Sequence, residues 1–294
     1  MPQLLEAFGC EVQAAVLLCR SATLEPARAV HELRKSIRIQ RSILRLLRAV
    51  LPPLTRVSLE RTLGAVAHIT SDLRDMEVLP GALRMLKQLP DAQEHRLREL
   101  LRAARTQARR GEDPFRISGM EAAAVALAEL PTALAACLPE QVRLSSLFEG
   151  LRETAKKARK AWRKALQHPD SVLIHTARKR AKELRYQLEW LLPPSPQPVQ
   201  ELADLIRFIE VLGNMTDLVA LRTWLGRNGK ALDGGLQRGV NRAVRHSLAK
   251  RFDSARRLSK KALAPKPRAW VAMVKAQRSS AAQAWLIQAP FAHP

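Results

Sequence analysis

The chain has 294 residues, and its 50 lysines and arginines against 27 aspartates and glutamates leave a formal net charge of +23 at pH 7. Because 47% of the residues are hydrophobic, the charge belongs to a chain that can bury a core, and a disordered basic tail is excluded. Few aromatic residues and only 12 glycines exclude an all-β fold. The excess of positive charge predicts a polyanionic partner: nucleic acid, inorganic polyphosphate or an anionic membrane surface.

Hydrophobic periodicity predicts helices along nearly the whole chain, and no segment shows convincing strand-like alternation. Proline and glycine clusters mark where these helices end. The predicted helices cover residues 2–20, 27–50, 54–78, 82–89, 91–110, 118–137, 144–167, 170–192, 199–226, 232–263 and 267–288. The sequence therefore predicts an all-α protein.

The N-terminal region and the cysteines indicate a cytoplasmic protein. Acidic Glu6 and Glu11 stand where a secretory signal would carry basic residues. The three cysteines are an odd number without a CxxC pair, which is typical of free, buried thiols in a reducing compartment. The least charged window, residues 119–142, still contains glutamates and prolines, so we expect no membrane insertion.

An internal repeat relates two basic helices. Residues 30–47 (VHELRKSIRIQRSILRLL) align with residues 174–191 (IHTARKRAKELRYQLEWL) at a constant offset of 144, and the apolar positions repeat together with the charged ones. A repeat of about 140 residues is far longer than a solenoid period and indicates duplication of a whole helical bundle. We expect residues 1–140 to form the first repeat and 141–294 the second.

Both copies place their cations on one helix face, opposite an apolar arc. The first stripe consists of His31, Arg34, Lys35, Arg38, Arg41 and Arg45, and the second of His175, Arg178, Lys179, Lys182 and Arg185. Three further helices have the same spacing without a histidine, at Arg98, Arg102, Arg105 and Arg109; at Arg152, Lys156, Arg159, Lys160 and Arg163; and at Arg238, Arg242 and Arg245. Solvated helix faces also carry such residues, but five stripes with few compensating acids indicate an anion-binding surface. Arginine can hold phosphate oxygens bidentately.

His31 and His175 occupy equivalent places in the two copies, which distinguishes them from isolated surface histidines. A ring nitrogen there could donate to a phosphate oxygen, and a bound polyanion would favour the charged imidazolium. Metal ligation is disfavoured because the neighbouring cations repel a divalent ion and neither histidine has a second ligand four residues later. We therefore expect neither a metal nor another cofactor.

The two His-containing segments resemble the signature helices of the CHAD family, the conserved histidine α-helical domain, and the Arg74-Asp75 region resembles its following motif. The resemblance spans about 20–270. It implies a single domain over 1–294, made of two pseudo-symmetric four-helix bundles that form a basic central groove or pore. It also implies inorganic polyphosphate as the ligand and association with polyphosphate granules. No ExExK signature of the triphosphate-tunnel enzymes is present, which indicates a stand-alone, non-catalytic module.

Two alternatives to polyphosphate binding stay open. RNA would suit the charge equally well, but Tyr186 is the only tyrosine and the other aromatic residues are not interleaved with the basic stripes, as base stacking would require. Asp72, Asp75 and Glu77 form the only compact acidic cluster near a possible phosphate site and could hold Mg²⁺ in a metal-dependent phosphohydrolase. Helix capping or pairing with arginines explains that cluster more simply.

Overall fold

The computed structural model describes residues 2–20, 26–69, 71–86, 89–110, 114–140, 142–193, 195–228 and 234–280, except for the side chains of 2–4, 26–27, 71–77, 107–110, 114–118 and 280. Its helices are α1 (Pro2–Arg20), α2 (Pro26–Leu46), α3 (Pro53–Ile69), α4 (Ser71–Arg84), α5 (Asp91–Arg110), α6 (Pro114–Ala128), α7 (Leu130–Ala135), α8 (Leu144–Gln167), α9 (Ser171–Leu191), α10 (Gln200–Asn228), α11 (Gly234–Ala262) and α12 (Pro267–Ser280), with a 3₁₀ turn at Leu47–Ala49 after α2. The described part of the chain contains no strand, so the predicted all-α fold is confirmed.

Both basic helices bury an apolar face, and α9 has a capped start. At the start of α9, the Asp170 carboxylate accepts hydrogen bonds from the backbone N–H groups of Val172 (2.7 Å) and Leu173 (2.8 Å), which satisfies two donors that the helix itself cannot pair. The apolar face of α2 is fully buried at Leu33 and Leu44. Each helix therefore buries one face and leaves the opposite face to its cations.

The predicted gap between helices 54–78 and 82–89 is wrong. Residues 71–84 form one helix, α4, and Pro80 lies inside it. An interior proline costs about 3 kcal/mol. Leu79, Leu83 and Leu86, close to Pro80 in the sequence, are buried, and each is worth about 2 kcal/mol of apolar burial, which outweighs that cost.

Two smaller sequence expectations also need correction. The predicted helix 118–137 is two helices, α6 and α7, and a proline stands in the first turn of α7. The three thiols are free, as expected, but the expectation that they are buried is wrong, because Cys10 is exposed while Cys19 and Cys137 are half-buried.

One large hydrophobic core joins both halves of the chain. It contains buried side chains from α1, α2, α3, α6 and α7 together with others from α8, α9, α10, α12 and the end of α11. Helix α2 packs directly against α9 and α8. The buried aromatic side chains of this core in the second half include Trp162, Trp190 and Trp270. The two basic helices therefore lie together at the junction of the halves.

A second, smaller core lies where α4 and α5 meet the end of α10 and the start of α11. Its buried side chains include Leu83 and Leu97 from the first half and Leu221 and Val240 from the second. Helix α5 approaches α11 closely, because a Cβ placed on Gly239 would lie 2.7 Å from Oε1 of Gln93. Both cores thus combine helices from the two halves.

The packing partners follow the same order in each half. Helix α1 packs against α2 and α6, α2 against α3, and α4 against α5. In the second half α8 packs against α9 and α12, α9 against α10, and α10 against α11. Helix α10 thus takes the place that α3 and α4 share. This order supports the predicted duplication, which stays a prediction.

Candidate anion-binding site

Helices α2 and α9 are joined by polar contacts within the buried interface. The Ser42 hydroxyl donates to the backbone carbonyl of Glu183 (2.9 Å), and Nε2 of Gln187 donates to the backbone carbonyl of Ser42 (3.0 Å). All three side chains are buried. These bonds fix which turns of the two basic helices face each other, and so which cations meet.

Glu183 is the buried carboxylate at this crossing. Its Oε2 lies 2.9 Å from Nη1 of Arg45 on α2 and 2.8 Å from Nη1 of Arg180 on α9, and its Oε1 lies 3.6 Å from Nη2 of Arg48. Its side chain is only 3% exposed. Arg48 is held in turn by the Thr154 hydroxyl of α8 (3.2 Å). Three guanidinium groups therefore surround one carboxylate.

Glu60 of α3 extends this network. Its Oε2 accepts from Nη2 of Arg45 (2.9 Å), and its Oε1 accepts from Nη1 of Arg56 (2.6 Å). Burial alone would raise the pKa of Glu60, but the hydrogen bonds and charges of Arg45 and Arg56 hold it below its ordinary value. Burial would likewise lower the pKa of Arg45, yet Glu183 and Glu60 raise it overall. Arg45 is therefore a paired cation within the fold.

The crossing still carries more cations than its carboxylates neutralise. Burial, and then the charge of Arg45, lower the pKa of Arg41, whose buried Nε has no hydrogen-bond partner. The Lys179 side chain is exposed overall, but partial desolvation near the crossing, followed by the charges of Arg41, Arg45 and Arg180, also lowers its pKa. Like charges at close range disfavour the charged form of each group unless an anion lies between them. Arg41 and Lys179 are thus the cations most in need of an external counter-ion.

Two predicted residues have structural partners on neighbouring helices. Nη1 of Arg34 donates to the carbonyl of Ala67 (2.7 Å) in the last turn of α3. Arg178, its repeat equivalent, lies against α10, where a Cβ on Gly213 would be 3.2 Å from its Nη2. The absence of a side chain at Gly213 therefore makes room for the Arg178 guanidinium.

The remaining residues of the two central stripes differ in exposure. His31, Lys35 and Lys179 are exposed, while Arg38, His175, Lys182 and Arg185 are partly buried. Arg185 donates from Nε to Glu189 (2.6 Å), and Lys35 lies 3.8 Å from Glu32. Arg41, Arg45 and Lys179 are the predicted residues that the structure brings together across the two helices. The roles of His31 and His175 stay predictions.

The three outer stripes lie on other helices. On α8, Arg152, Lys156, Lys160 and Arg163 are exposed, whereas Arg159 donates to the carbonyls of Ala264 (3.0 Å) and Pro265 (2.9 Å) after α11. On α5, Arg98 pairs with Glu94, Arg102 is exposed, Arg105 is partly buried, and the Arg109 side chain is outside the described part. Arg238, Arg242 and Arg245 are exposed on the half of α11 that belongs to the second core. The α5 and α11 stripes therefore lie on helices that pack in the second core, whereas α2 and α9 pack in the large core.

The side chains of the acidic cluster proposed as a metal site, Asp72, Asp75 and Glu77, lie outside the described residues. Among the side chains that are described, no group of three or more His, Cys, Asp or Glu could hold a metal ion. No helix in the described ranges is long and apolar enough to cross a membrane.

Five residues of the network were missed by the sequence analysis: Arg48, Arg56, Glu60, Arg180 and Glu183. The repeat alignment held a signal for Glu183, because position 183 aligns with position 39, a buried isoleucine. A carboxylate aligned with a core residue indicates a buried charge, which requires cationic partners. Arg180 lies inside the aligned segment but opposite Ser36, so the repeat does not mark it as a cation. Arg48, Arg56 and Glu60 lie outside the aligned segments, and nothing in their spacing separates them from ordinary surface residues.

A family model and a solved structure both relate this chain to the same family. A family model described as "CHAD domain" matches residues 10–226. Among solved structures, the chain is similar to the CHAD domain from the plant Ricinus communis, with a TM-score of 0.54 and 19% identity over 97% of this chain and 93% of that one. This structural likeness shows a shared fold. No curated protein matches the chain significantly.

Proposed function

Because the chain belongs to the CHAD domain family, we propose that it binds inorganic polyphosphate, without catalysing a reaction, through the cationic faces of α2 and α9. The observation that carries the proposal is the crossing of the two helices. Six cations lie there, Arg41, Arg45, Arg48, Arg56, Lys179 and Arg180, and the carboxylates of Glu60 and Glu183 neutralise only part of their charge. A chain of phosphate groups supplies the missing negative charge without requiring recognition of a base or sugar.

The aromatic residues favour polyphosphate over RNA. Among the side chains that the structure describes, Trp162, Tyr186, Trp190, Phe208 and Trp270 are all buried in the core, and no aromatic residue is exposed. Proteins that bind single-stranded nucleic acid usually stack the bases on exposed aromatic side chains. The cationic surface here offers partners for phosphate alone.

The outer stripes extend the proposed surface. Exposed cations on α8, α5 and α11 would attract further phosphates of a long chain electrostatically, without hydrogen bonds of defined geometry. We place the protein in the cytoplasm at polyphosphate granules, where such chains are concentrated. The proposed biochemical role is therefore retention on a polyanion rather than turnover of it.

The deciding experiment is competition between ligands at about 150 mM salt, near the physiological ionic strength. Labelled long-chain polyphosphate is bound to the protein, and unlabelled polyphosphate, RNA and duplex DNA are titrated against it at equal phosphate concentration. We expect unlabelled polyphosphate to displace the label at the lowest concentration. Stronger displacement by RNA would reverse the assignment of the ligand.

A double variant tests the site itself. Arg41→Gln with Lys179→Gln removes the two least neutralised cations of the crossing, so we expect more than about a tenfold loss of polyphosphate affinity. The matched control is Arg256→Gln with Lys260→Gln, which removes the same charge from exposed positions of α11. Equal losses in the two double variants would mean that net charge, rather than the α2–α9 crossing, determines binding. Arg34 is unsuitable for this test because it bonds to the end of α3.

A further inference from the structure

The arrangement around Glu183 is that of an anion site whose occupant is part of the protein. Arginine binds phosphate and carboxylate alike, through charge-assisted hydrogen bonds of about 2.7–2.9 Å. The Glu183 carboxylate has Arg45 and Arg180 at 2.9 and 2.8 Å, with Arg48 at 3.6 Å. An external anion therefore cannot use the guanidinium N–H groups that face Glu183 while the carboxylate is in place.

Packing alone does not require a carboxylate at this position. The equivalent position in α2 is Ile39, which is buried in the same core with 3% exposure. If the two halves share a common origin, one copy of the helix tolerates an aliphatic side chain where the other has Glu183. Burying a carboxylate is unfavourable unless cations pair with it, so the three arginines and Glu183 depend on one another.

We infer that Glu183 is a built-in competitor anion that closes the arginine cluster to orthophosphate and other small anions and thereby makes the site selective for long chains. The inference rests on the proposed function. A small anion that displaced the Glu183 carboxylate would leave it buried without cationic partners, which is unfavourable. One small anion contacts too few other cations to offset that cost. A long polyphosphate chain avoids this cost because it binds Arg41, Lys179 and the outer stripes of α5, α8 and α11 and leaves Glu183 in place.

The test is Glu183→Gln, which keeps the shape of the side chain and removes its charge. We expect this variant to bind tripolyphosphate about tenfold more tightly than the wild type does. We also expect orthophosphate at about 10 mM to raise its Tm above the value in sodium chloride of equal ionic strength, with no such rise in the wild type.

The matched control is Glu189→Gln. Glu189 lies on the same helix and pairs with Arg185 (2.6 Å), so this change removes the same charge without opening the cluster of three arginines. We expect no gain in orthophosphate binding. An equal gain in both variants would overturn the inference, because net charge would then explain it.

A second variant covers the outcome in which Glu183→Gln does not fold. Glu60→Gln removes the other carboxylate of the network, which frees Arg56 and one edge of Arg45. We expect a smaller gain in tripolyphosphate affinity in the same direction. If the folded variants show no gain for small phosphates, the inference is overturned even where the wild type binds long chains. If the wild type binds no long-chain polyphosphate, the proposed function fails instead.

Discussion

Glu11 illustrates how one buried carboxylate makes stability depend on pH. It lies in the α1–α2 interface, where its carboxylate accepts a hydrogen bond from the Ser36 hydroxyl (3.0 Å). Burial raises the pKa of Glu11 above its ordinary value near 4.5, and the Ser36 hydrogen bond and the charge of Lys35 offset this only in part. The folded state therefore binds the Glu11 proton more tightly than the unfolded state does.

The sign of this shift gives a specific prediction. The contribution of Glu11 to stability is full below its unfolded pKa and is lost as the pH rises through its folded pKa. We expect Glu11→Gln to be more stable than the wild type at pH 7, by about 1 kcal/mol, and equally stable near pH 4. Urea unfolding at both pH values measures this difference. The control is Glu6→Gln at an exposed position of α1, which should leave the pH dependence unchanged. If Glu11→Gln were also more stable than the wild type at pH 4, the pH dependence could not be assigned to Glu11.

At the scale of helices, Gly150 determines how closely α8 approaches the end of α2. A Cβ at this position would lie 2.0 Å from the carbonyl oxygen of Leu46, which is backbone and cannot move aside as a side chain could. The two helices could accommodate an added methyl group only by separating, and the core between them would lose contacts.

We therefore expect Gly150→Ala to lower the free energy of unfolding by about 3 kcal/mol, the upper range for overpacking. The control is Gly64→Ala in α3, where, apart from the adjacent residues and the backbone of α3 itself, nothing lies within 4 Å of the added Cβ. That change should stabilise the protein by about 0.5–1 kcal/mol because alanine favours a helix over glycine. Thermal unfolding of both variants measures the contrast. A neutral Gly150→Ala would mean that α8 and α2 are less tightly packed than the structure shows.

Periodicity was sufficient to predict most helices, because each buries one face and its apolar residues recur at helical spacing. It failed at Pro80, where local preference favours a break but the burial of Leu79 and Leu83 against other helices overrides it. Periodicity also placed the cations of α2 and α9 on one face. It could not show that Arg45 is paired while Arg41 is not, because this difference depends on Glu60 and Glu183, which reach the crossing only through tertiary packing.

At the scale of the whole molecule, the net charge of +23 opposes compactness through self-repulsion. Long-chain polyphosphate should relieve this repulsion and stabilise the folded state by mass action. At about 50 mM salt we expect a saturating concentration to raise the Tm by about 5 °C, with a smaller rise at about 300 mM because salt competes for the phosphates. Differential scanning calorimetry measures both shifts, with orthophosphate at equal total phosphate as the control. A shift that does not change with salt would argue against binding by charge.

The second core has a consequence for synthesis on the ribosome. Leu83 and Leu97 are made early, but their partners on α10 and α11 extend to Val244. Until that part of the chain has emerged, the apolar faces of α4 and α5 have no complete surface to cover them. The first half must therefore wait, partly assembled and vulnerable to aggregation, for the second half to arrive.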